Sequence, residues 1–433
     1  MRGVPTVGKA KEHDSFQLSL LSFGAGFGLP VDHPVWSFID MIEDEIDLTQ
    51  IVEFRKGRSA AGRSPFHPLM MIKLIMYGYA QGITSGRALE QACIERLDFR
   101  VVTGNQAPDH RTISRFRKAN LEHYGHLFEQ SVAMAADEDL IEMKEVAVDG
   151  SKILANASKR KAMSYGRMLD SSKQLRKEIY TLKQEARIAE GRKKRELSKD
   201  LSFKRKRLQT IREGKKELEI RAKSAGKKRP EDKAQINFTD PESAIMKVGS
   251  GFEQCFNAQA VVDKKAQIIV AAKVTREGND KLQIEPMLNE MISTVGLISE
   301  RVLADSGYFS EANIERLNAR FPKLELFIPP NRKDQSCEVK ARGRIPASLT
   351  TADRMRRKLS TVKGKAIYKF RKAVVEPVFG QIKSANLKFA SFSFRGFKAV
   401  SAEWKLVCAI HNLWKIQRAR AENTKLKFLP LAA

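Results

Sequence analysis

Cysteine is scarce and dispersed. The four residues Cys93, Cys255, Cys337 and Cys408 form no C-x-x-C pair. That argues against a zinc ribbon and a disulfide framework alike, and fits reduced structural thiols. Also missing is any apolar run near the ~18 residues of a membrane-spanning helix, so no membrane partner is expected. The N-terminus carries no charged-then-apolar leader pattern, and a cytoplasmic location follows as the expectation. Acids are in deficit, 51 against 78 basic residues, for a net charge of +27 and a pI near 9.9. Such a charge points to a polyanionic partner, nucleic acid before an anionic membrane. With 42 % apolar residues in 433, a sizeable core and two or three domains are expected.

Residues 1–34 hold Gly and Pro with little period and read as a flexible arm. Residues 35–140 read as a helical domain. The stretch from Val35 to Ile51 has amphipathic spacing. Pro68 suits the first turn of a helix ending near Gly82, and Ser85 suits the cap of another over Arg87 to Arg96. Asp109 suits the N-cap of a helix carrying Arg111, Arg115, Arg117 and Lys118. Short helices ending in a basic one have a helix-turn-helix layout, with those four cations as candidate DNA contacts. The plainer reading is a bundle with a solvated basic face.

A strand follows at residues 146–149, and then the composition shifts. Between Lys159 and Pro230 there are 26 basic and 9 acidic residues, a net of +17. Met168, Leu175, Leu182 and Ala189 recur every seven positions, and Leu197, Leu201, Leu208, Ile211 and Leu218 continue after Gly191. This predicts an inserted basic helical hairpin over 159–235, turning at Gly191. A solvated helix pair, an arm along DNA phosphates and a coiled coil to a second subunit all remain open for it. Beyond it come a hairpin of strands (Phe256 to Asp263 and Ile268 to Thr275) and a helix from Lys281 to Val295 capped by Asn279-Asp280. A strand to Asp305, a helix capped by Ser310 and a strand from Leu324 to Pro329 follow. A basic loop over 331–365 holds a short helix near Thr351 to Leu359, and helices from Pro377 and from Phe397 to Ala421 close the domain. Strands and helices in this order give an α/β fold with a mixed sheet over 141–158 and 236–421, and a tail over 422–433.

Three acids stand out. Asp149 ends Val146-Ala-Val-Asp149-Gly150, and Asp305 ends Val302-Leu-Ala-Asp305-Ser-Gly307-Tyr308. Each reads as an apolar strand delivering an Asp at its end. Glu376 lies among Ala373, Val374, Val375 and Val378, at the edge of a core where a carboxylate needs a cation. Phosphodiester cleavage needs an activated nucleophile and a stabilised leaving oxygen, the work of paired divalent ions. Oxygen ligands select Mg²⁺, with Mn²⁺ as substitute. Asp149 is read as the bridging ligand. Lys383 is a candidate to hold a phosphate, Tyr368 to stack on a base and Arg371 to fork a phosphate. The rival readings are a plain Asp-Gly turn, a Glu376–Arg371 ion pair and a core Tyr368. Pro377 disfavours helical geometry at Glu376, which puts Glu376 at a helix start or a kink.

These segments together resemble the DDE transposases of bacterial insertion sequences, in the insertion-sequence-four and insertion-sequence-five superfamily. Val-Ala-Val-Asp149-Gly-Ser-Lys looks like that family's first-Asp strand, Leu-Ala-Asp305-Ser-Gly-Tyr308 like its second, and Tyr368, Arg371, Glu376 and Lys383 like its Tyr, Arg, Glu, Lys signature. Asp240-Pro-Glu-Ser with Phe256-Asn-Ala-Gln259 resembles the text between the first two acids, and His67 to Leu127 resembles the N-terminal helical domain. The resemblance runs over about residues 40–415. It implies an RNase H-like core, catalysis and metal binding by Asp149, Asp305 and Glu376, Mg²⁺ dependence, and binding of terminal inverted repeats. It also implies strand cleavage and transfer. Because two element ends must be brought together, a homodimer in the synaptic complex is expected, in a nucleoid-associated protein. Four residues instead of three separate Arg371 from Glu376, which brings in Lys372 as the alternative. Some relatives carry a cysteine cluster before the Glu; only Cys337 stands there, so no zinc is expected. A regulator with a degenerate core and an RNA-binding basic protein are the competing classes. The presence of all three acids favours the enzyme.

Overall fold

The computed structural model describes residues 28–51, 66–330, 346 and 348–428, with side chains to 423. Most of the N-terminal arm, the first part of the 331–365 loop with Cys337, and the end of the tail therefore lie outside the described residues.

The described residues begin with six α-helices: α1 Pro34–Asp40, α2 Pro68–Ala80, α3 Gly86–Glu95, α4 Leu97–Thr103, α5 His110–Ala119 and α6 Tyr124–Asp137. Pro68 sits in the first turn of α2, where its missing N–H costs nothing, and the His67 ring caps it. Ser85 accepts from the Ala88 amide at the start of α3, and Asp109 from the Arg111 and Thr112 amides at the start of α5. Neither α4 nor α6 is among the elements that the sequence predicts. Gly104, left-handed at φ 56°, ends α4.

The sheet starts with β1, Glu145–Leu154. A small hairpin, β2 Ala162–Ser164 with β3 Gln235–Asn237, forms the base from which α7 Tyr165–Ile188 and α8 Gly191–Ser224 rise. Gly191 takes φ 59° at the turn. Then come β4 Ala244–Val248, β5 Gly251–Asp263, β6 Ile269–Thr275, α9 Ile284–Val295, β7 Arg301–Ala304, α10 Glu311–Arg320, β8 Glu325–Phe327, α11 Thr351–Ser360, α12 Val362–Gly380 and α13 Phe397–Phe428. β1 is central. It pairs antiparallel with β5 and parallel with β7, which pairs parallel with β8. The first half of β5 pairs with β4 and its second half with β6, both antiparallel. This six-stranded mixed sheet, antiparallel among β1, β4, β5 and β6 and parallel from β1 through β7 to β8, is an RNase H-like core. Among the described residues no helix is long and apolar enough to cross a membrane.

Helices cover the sheet. Trp404 of α13 is fully buried, stacks on Phe379 of α12 and donates its indole N–H to the Gln259 carbonyl at 3.0 Å. Asn412 accepts from the Ile269 amide and donates to the Ile269 carbonyl, both at 2.9 Å, and also reaches Ser131 of α6. These interactions tie the N-terminal helices, α13 and the sheet into one core.

Two expectations about local geometry are corrected. Asp149 is not at a strand end: β1 continues five residues past it, with Asp149 opposite Ala260 and Gly150 opposite Gln259. Gly150 is no turn residue. A Cβ there would stand 2.0 Å from the Gln259 amide nitrogen. Nor does a helix start near Pro377. Pro377 lies inside α12, and Glu376 in that helix's interior. A proline there leaves the carbonyl four residues back without its donor. The side-chain amide of Gln267 supplies one, donating to the Ala373 carbonyl at 3.0 Å.

Candidate active site

β1 and β7 run parallel, and their last registered pair is Val148 opposite Ala304. One residue further along come Asp149, still within β1, and Asp305, just past the end of β7. Asp305 then leaves the sheet and caps a short turn, accepting from the Gly307 amide at 2.8 Å. Burial pushes the Asp149 carboxyl up to about 6. The Gly150 amide and Arg371 oppose this, while Asp305 and Asp280 push further upward.

α12 lies over β1 and brings Arg371 and Glu376. Arg371 is buried; its Nη1 donates to Asp149 Oδ2 at 3.3 Å and its Nη2 to Glu376 Oε1 at 3.4 Å. One guanidinium thus links the two acids, and Glu376 keeps about half its side chain exposed. Both Nη atoms of the residue expected to fork a phosphate thus face carboxylates. Lys372, the alternative, is exposed. Tyr368 is half-buried against Leu303, Phe327 and Ile367, and donates to the Ala304 carbonyl at 3.3 Å, beside Asp305. Lys383 donates to the Lys152 carbonyl at 3.1 Å, and burial lowers its ammonium's affinity for the proton.

The basic helix α5 divides. Arg111, Arg115 and Lys118 are exposed. Arg117 is not a surface cation, which corrects its place among the DNA contacts. It is 4 % exposed, donates to the Thr84 carbonyl at 2.7 Å and to the Tyr79 hydroxyl, and pairs with Glu403 at 3.4 Å. Position 117 falls one turn from Ile113 and beside Phe116, on the face that packs inward, so a charge there must be paired.

Asp280 reads in the sequence as a helix cap, but α9 begins only at Ile284. Its Oδ1 instead accepts from the Gln259 side-chain amide at 2.7 Å and from that of Asn257 at 2.8 Å. Gln259 in turn accepts from the Tyr308 hydroxyl. A signal is present. Asn257 and Gln259, two positions apart, fall on one face of a strand that is buried from Gln254 to Asp263, and two buried amides on one face require an acceptor.

The donor chemistry suits a hard divalent cation, since every candidate ligand is a carboxylate oxygen. Asp149, half-buried beside two further acids with one guanidinium to offset them, lacks positive charge as it stands. Among the described residues no three His, Cys, Asp or Glu side chains converge closely enough to hold an ion. The Asp149–Asp305 pair fits the group, and the Glu376 carboxylate is turned to Arg371.

Two family models match the chain. One, described as Transposase domain (DUF772), covers residues 29–119, and the other, described as Transposase DDE domain, covers residues 219–413. Asp305 and Glu376 fall inside the second match, and Asp149, on the far side of the helical insertion, falls in neither. No curated protein and no solved structure matches. The two matches cover about two thirds of the sequence, on a chain whose sheet brings two strand-borne aspartates side by side under a helix carrying a glutamate. The chain belongs to the DDE transposases of insertion sequences, enzymes of DNA transposition that bind DNA and carry out strand cleavage and transfer with a divalent metal.

Proposed function

We propose that Asp149, Asp305 and Glu376 are the catalytic acids and hold Mg²⁺, with Mn²⁺ as substitute. The substrate is double-stranded DNA at the terminal inverted repeats of an element of the insertion-sequence-four and insertion-sequence-five superfamily. The observation that carries this reading is the register of β1 on β7, which puts Asp149 and Asp305 next to each other. When bound, a divalent ion there activates the attacking hydroxyl and stabilises the leaving oxygen. The chain's own residues set the stage. Arg371 holds the Asp149 and Glu376 carboxylates in one arrangement, Lys383 fixes the helix end beyond Glu376 against β1, and Tyr368 braces the end of β7. Residues 35–140 engage the element end through Arg111, Arg115 and Lys118 on α5. Residues 141–158 and 236–421 form the catalytic core, and residues 159–235 are an insertion in it. Two copies bring two element ends together in the synaptic complex, at the nucleoid.

The test is cleavage of labelled duplex carrying the flanking element end, with Mg²⁺ and with EDTA, by the wild type and by Asp149→Asn, Asp305→Asn and Glu376→Gln. Metal-dependent nicking abolished in all three, with DNA binding kept, is the expected result. An amide variant that still cuts removes that acid from the set, and binding without cutting by the wild type makes the chain a regulator.

A further inference from the structure

The α7–α8 hairpin is not used by the chemistry above. Its inner half has a core, in which Tyr165, Met168, Leu175, Ile179, Leu208, Ile211 and Leu218 are buried with Ile236. Between Ile179 and Leu208 no residue is buried, and Tyr180, Ile188 and Phe203 stand exposed. The outer half is thus a projecting arm that buries no side chain among the described residues.

Charge on α8 is arranged, not scattered. That helix holds 14 basic and 5 acidic residues. At 100° per residue, Lys194, Arg205, Arg212, Lys216 and Lys223 fall within 40° of one another around the axis. They form a line about 44 Å long at 1.5 Å per residue. All five are exposed, and none has an acidic partner among the described residues. The acid nearest that line, Glu219, is engaged by the Tyr165 hydroxyl at 2.8 Å and by Lys215 at 3.5 Å. Off that line, Arg192 pairs with Glu196, Lys204 with Glu178 and Arg221 with Glu217, while Lys193, Arg195, Lys199, Lys206 and Arg207 are exposed cations spread around the other sides of the helix.

We propose that this line of five cations on α8 is a docking surface for the phosphate backbone of double-stranded DNA. The proposal rests on the chain's being a DNA transposase and adds a second DNA-binding surface, away from the acids and from α5. Charge complementarity selects the occupant. A second copy of the hairpin would bring the same unpaired positive line against itself, whereas a duplex offers negative charge at about one per 1.7 Å along its whole axis.

The experiment uses the full chain in EDTA with an unrelated 30-base-pair duplex, and reads Kd against KCl concentration. Three proteins are compared: the wild type, a line variant (K194Q, R205Q, R212Q, K216Q, K223Q), and a control with the same charge removed elsewhere on the helix (R192Q, R195Q, K199Q, K206Q, R221Q). Helix content by circular dichroism checks that the hairpin persists. The line variant is expected to flatten the dependence of log Kd on log salt by about 0.9 for each phosphate no longer neutralised, and the control far less. Equal flattening in both variants reduces the effect to net charge and overturns the proposal. So does an unchanged slope, or a change confined to the sedimenting mass of the protein alone, which would assign the surface to a second copy. Because no cleavage is read, failure here leaves the acid assignment standing. Conversely, Asp149→Asn should bind with the wild-type salt slope even where it cannot cut.

Discussion

Arg371 donates to Asp149 at 3.3 Å across 222 positions of sequence, and the same guanidinium reaches Glu376 five residues along its own helix. Five residues is 500° of turn, so the two Cα positions are well off one line. A long, forked side chain closes that gap, and a lysine with a single charged point would not reach both acids. Arg371→Gln leaves Asp149 beside Asp305 and Asp280 with no cation. We expect a loss of about 1–3 kcal/mol in urea unfolding and loss of strand cleavage, with duplex binding retained. Arg371→Lys should recover most of the stability and little of the cleavage. If Arg371→Gln cuts normally, the guanidinium does not order the acids.

Pro377 and Gln267 should behave as a pair. Gln267→Ala removes the donor to the Ala373 carbonyl, for an expected cost of about 1 kcal/mol. Pro377→Ala restores the backbone N–H four residues on, which can take over that carbonyl. In the double variant the Gln267 truncation should then cost close to nothing. A double-mutant cycle in urea tests this, and additive effects would mean the two do not share the carbonyl.

The sequence discloses elements wherever local chemistry dictates them. Pro68, Ser85 and Asp109 mark helix starts, the period of seven marks α7 and α8, and short apolar runs mark β1, β5, β6 and β7. It misleads where a distant residue decides. Nothing near Pro377 says that Gln267, 110 positions earlier, will serve the freed carbonyl, so a helix break is the natural reading. Nothing near Arg117 names Glu403, so a buried ion falls in with the surface cations. Asp149 is legible from its apolar approach, but its mid-strand position depends on how far β5 pairs beyond it. Asp280 escapes notice because Asn-Asp before a helical stretch has a local explanation, and that explanation hides its role against Gln259.

Arg117 sits among Glu403, Tyr79, Ser393 and Phe394, joining α5 to the end of the core. Arg117→Met should cost about 3–5 kcal/mol, because it strands a buried carboxylate. Arg111→Ala and Arg115→Ala should stay within about 0.5 kcal/mol of wild type while weakening duplex binding. Urea midpoints and binding isotherms on the same preparations separate the two classes. Weakened binding with unchanged stability in Arg117→Met would return Arg117 to the DNA face.

His411 supplies a pH dependence that is independent of the active site. It is buried in α13, its Nε2 lies 3.0 Å from Gln381 Oε1, and burial pushes it down to about 3. Above the unfolded value of about 6.5 the imidazole is neutral in both states, and its contribution is fully present. As pH falls from there towards 3, the unfolded chain takes up a proton that the folded chain refuses, so stability declines. His411→Gln should flatten the stability curve over that window, by up to ~1.4 kcal/mol per pH unit. Identical pH slopes for the two proteins between pH 6.5 and 4 would show that His411 titrates alike folded and unfolded.

Gly150, next to Asp149, is where backbone and site meet most tightly. A methyl there would press 2.0 Å from Gln259 Nε2 and 2.8 Å from Asn257 Oδ1. Both amides donate to Asp280, and Gln259 also holds the Tyr308 hydroxyl in the turn that Asp305 caps. Gly150→Ala should therefore cost about 1–3 kcal/mol by overpacking and disturb Asp305 from across the sheet. Gln259→Ala removes the obstructing amide and leaves space for the methyl. The double variant should then be more stable than the two single costs predict, with an interaction energy above about 0.5 kcal/mol in a urea cycle. Cleavage need not return with stability, since Asp280 and Tyr308 still lack Gln259. If Gly150→Ala is neutral, the close approach of β5 to β1 is not what requires glycine beside the first acid.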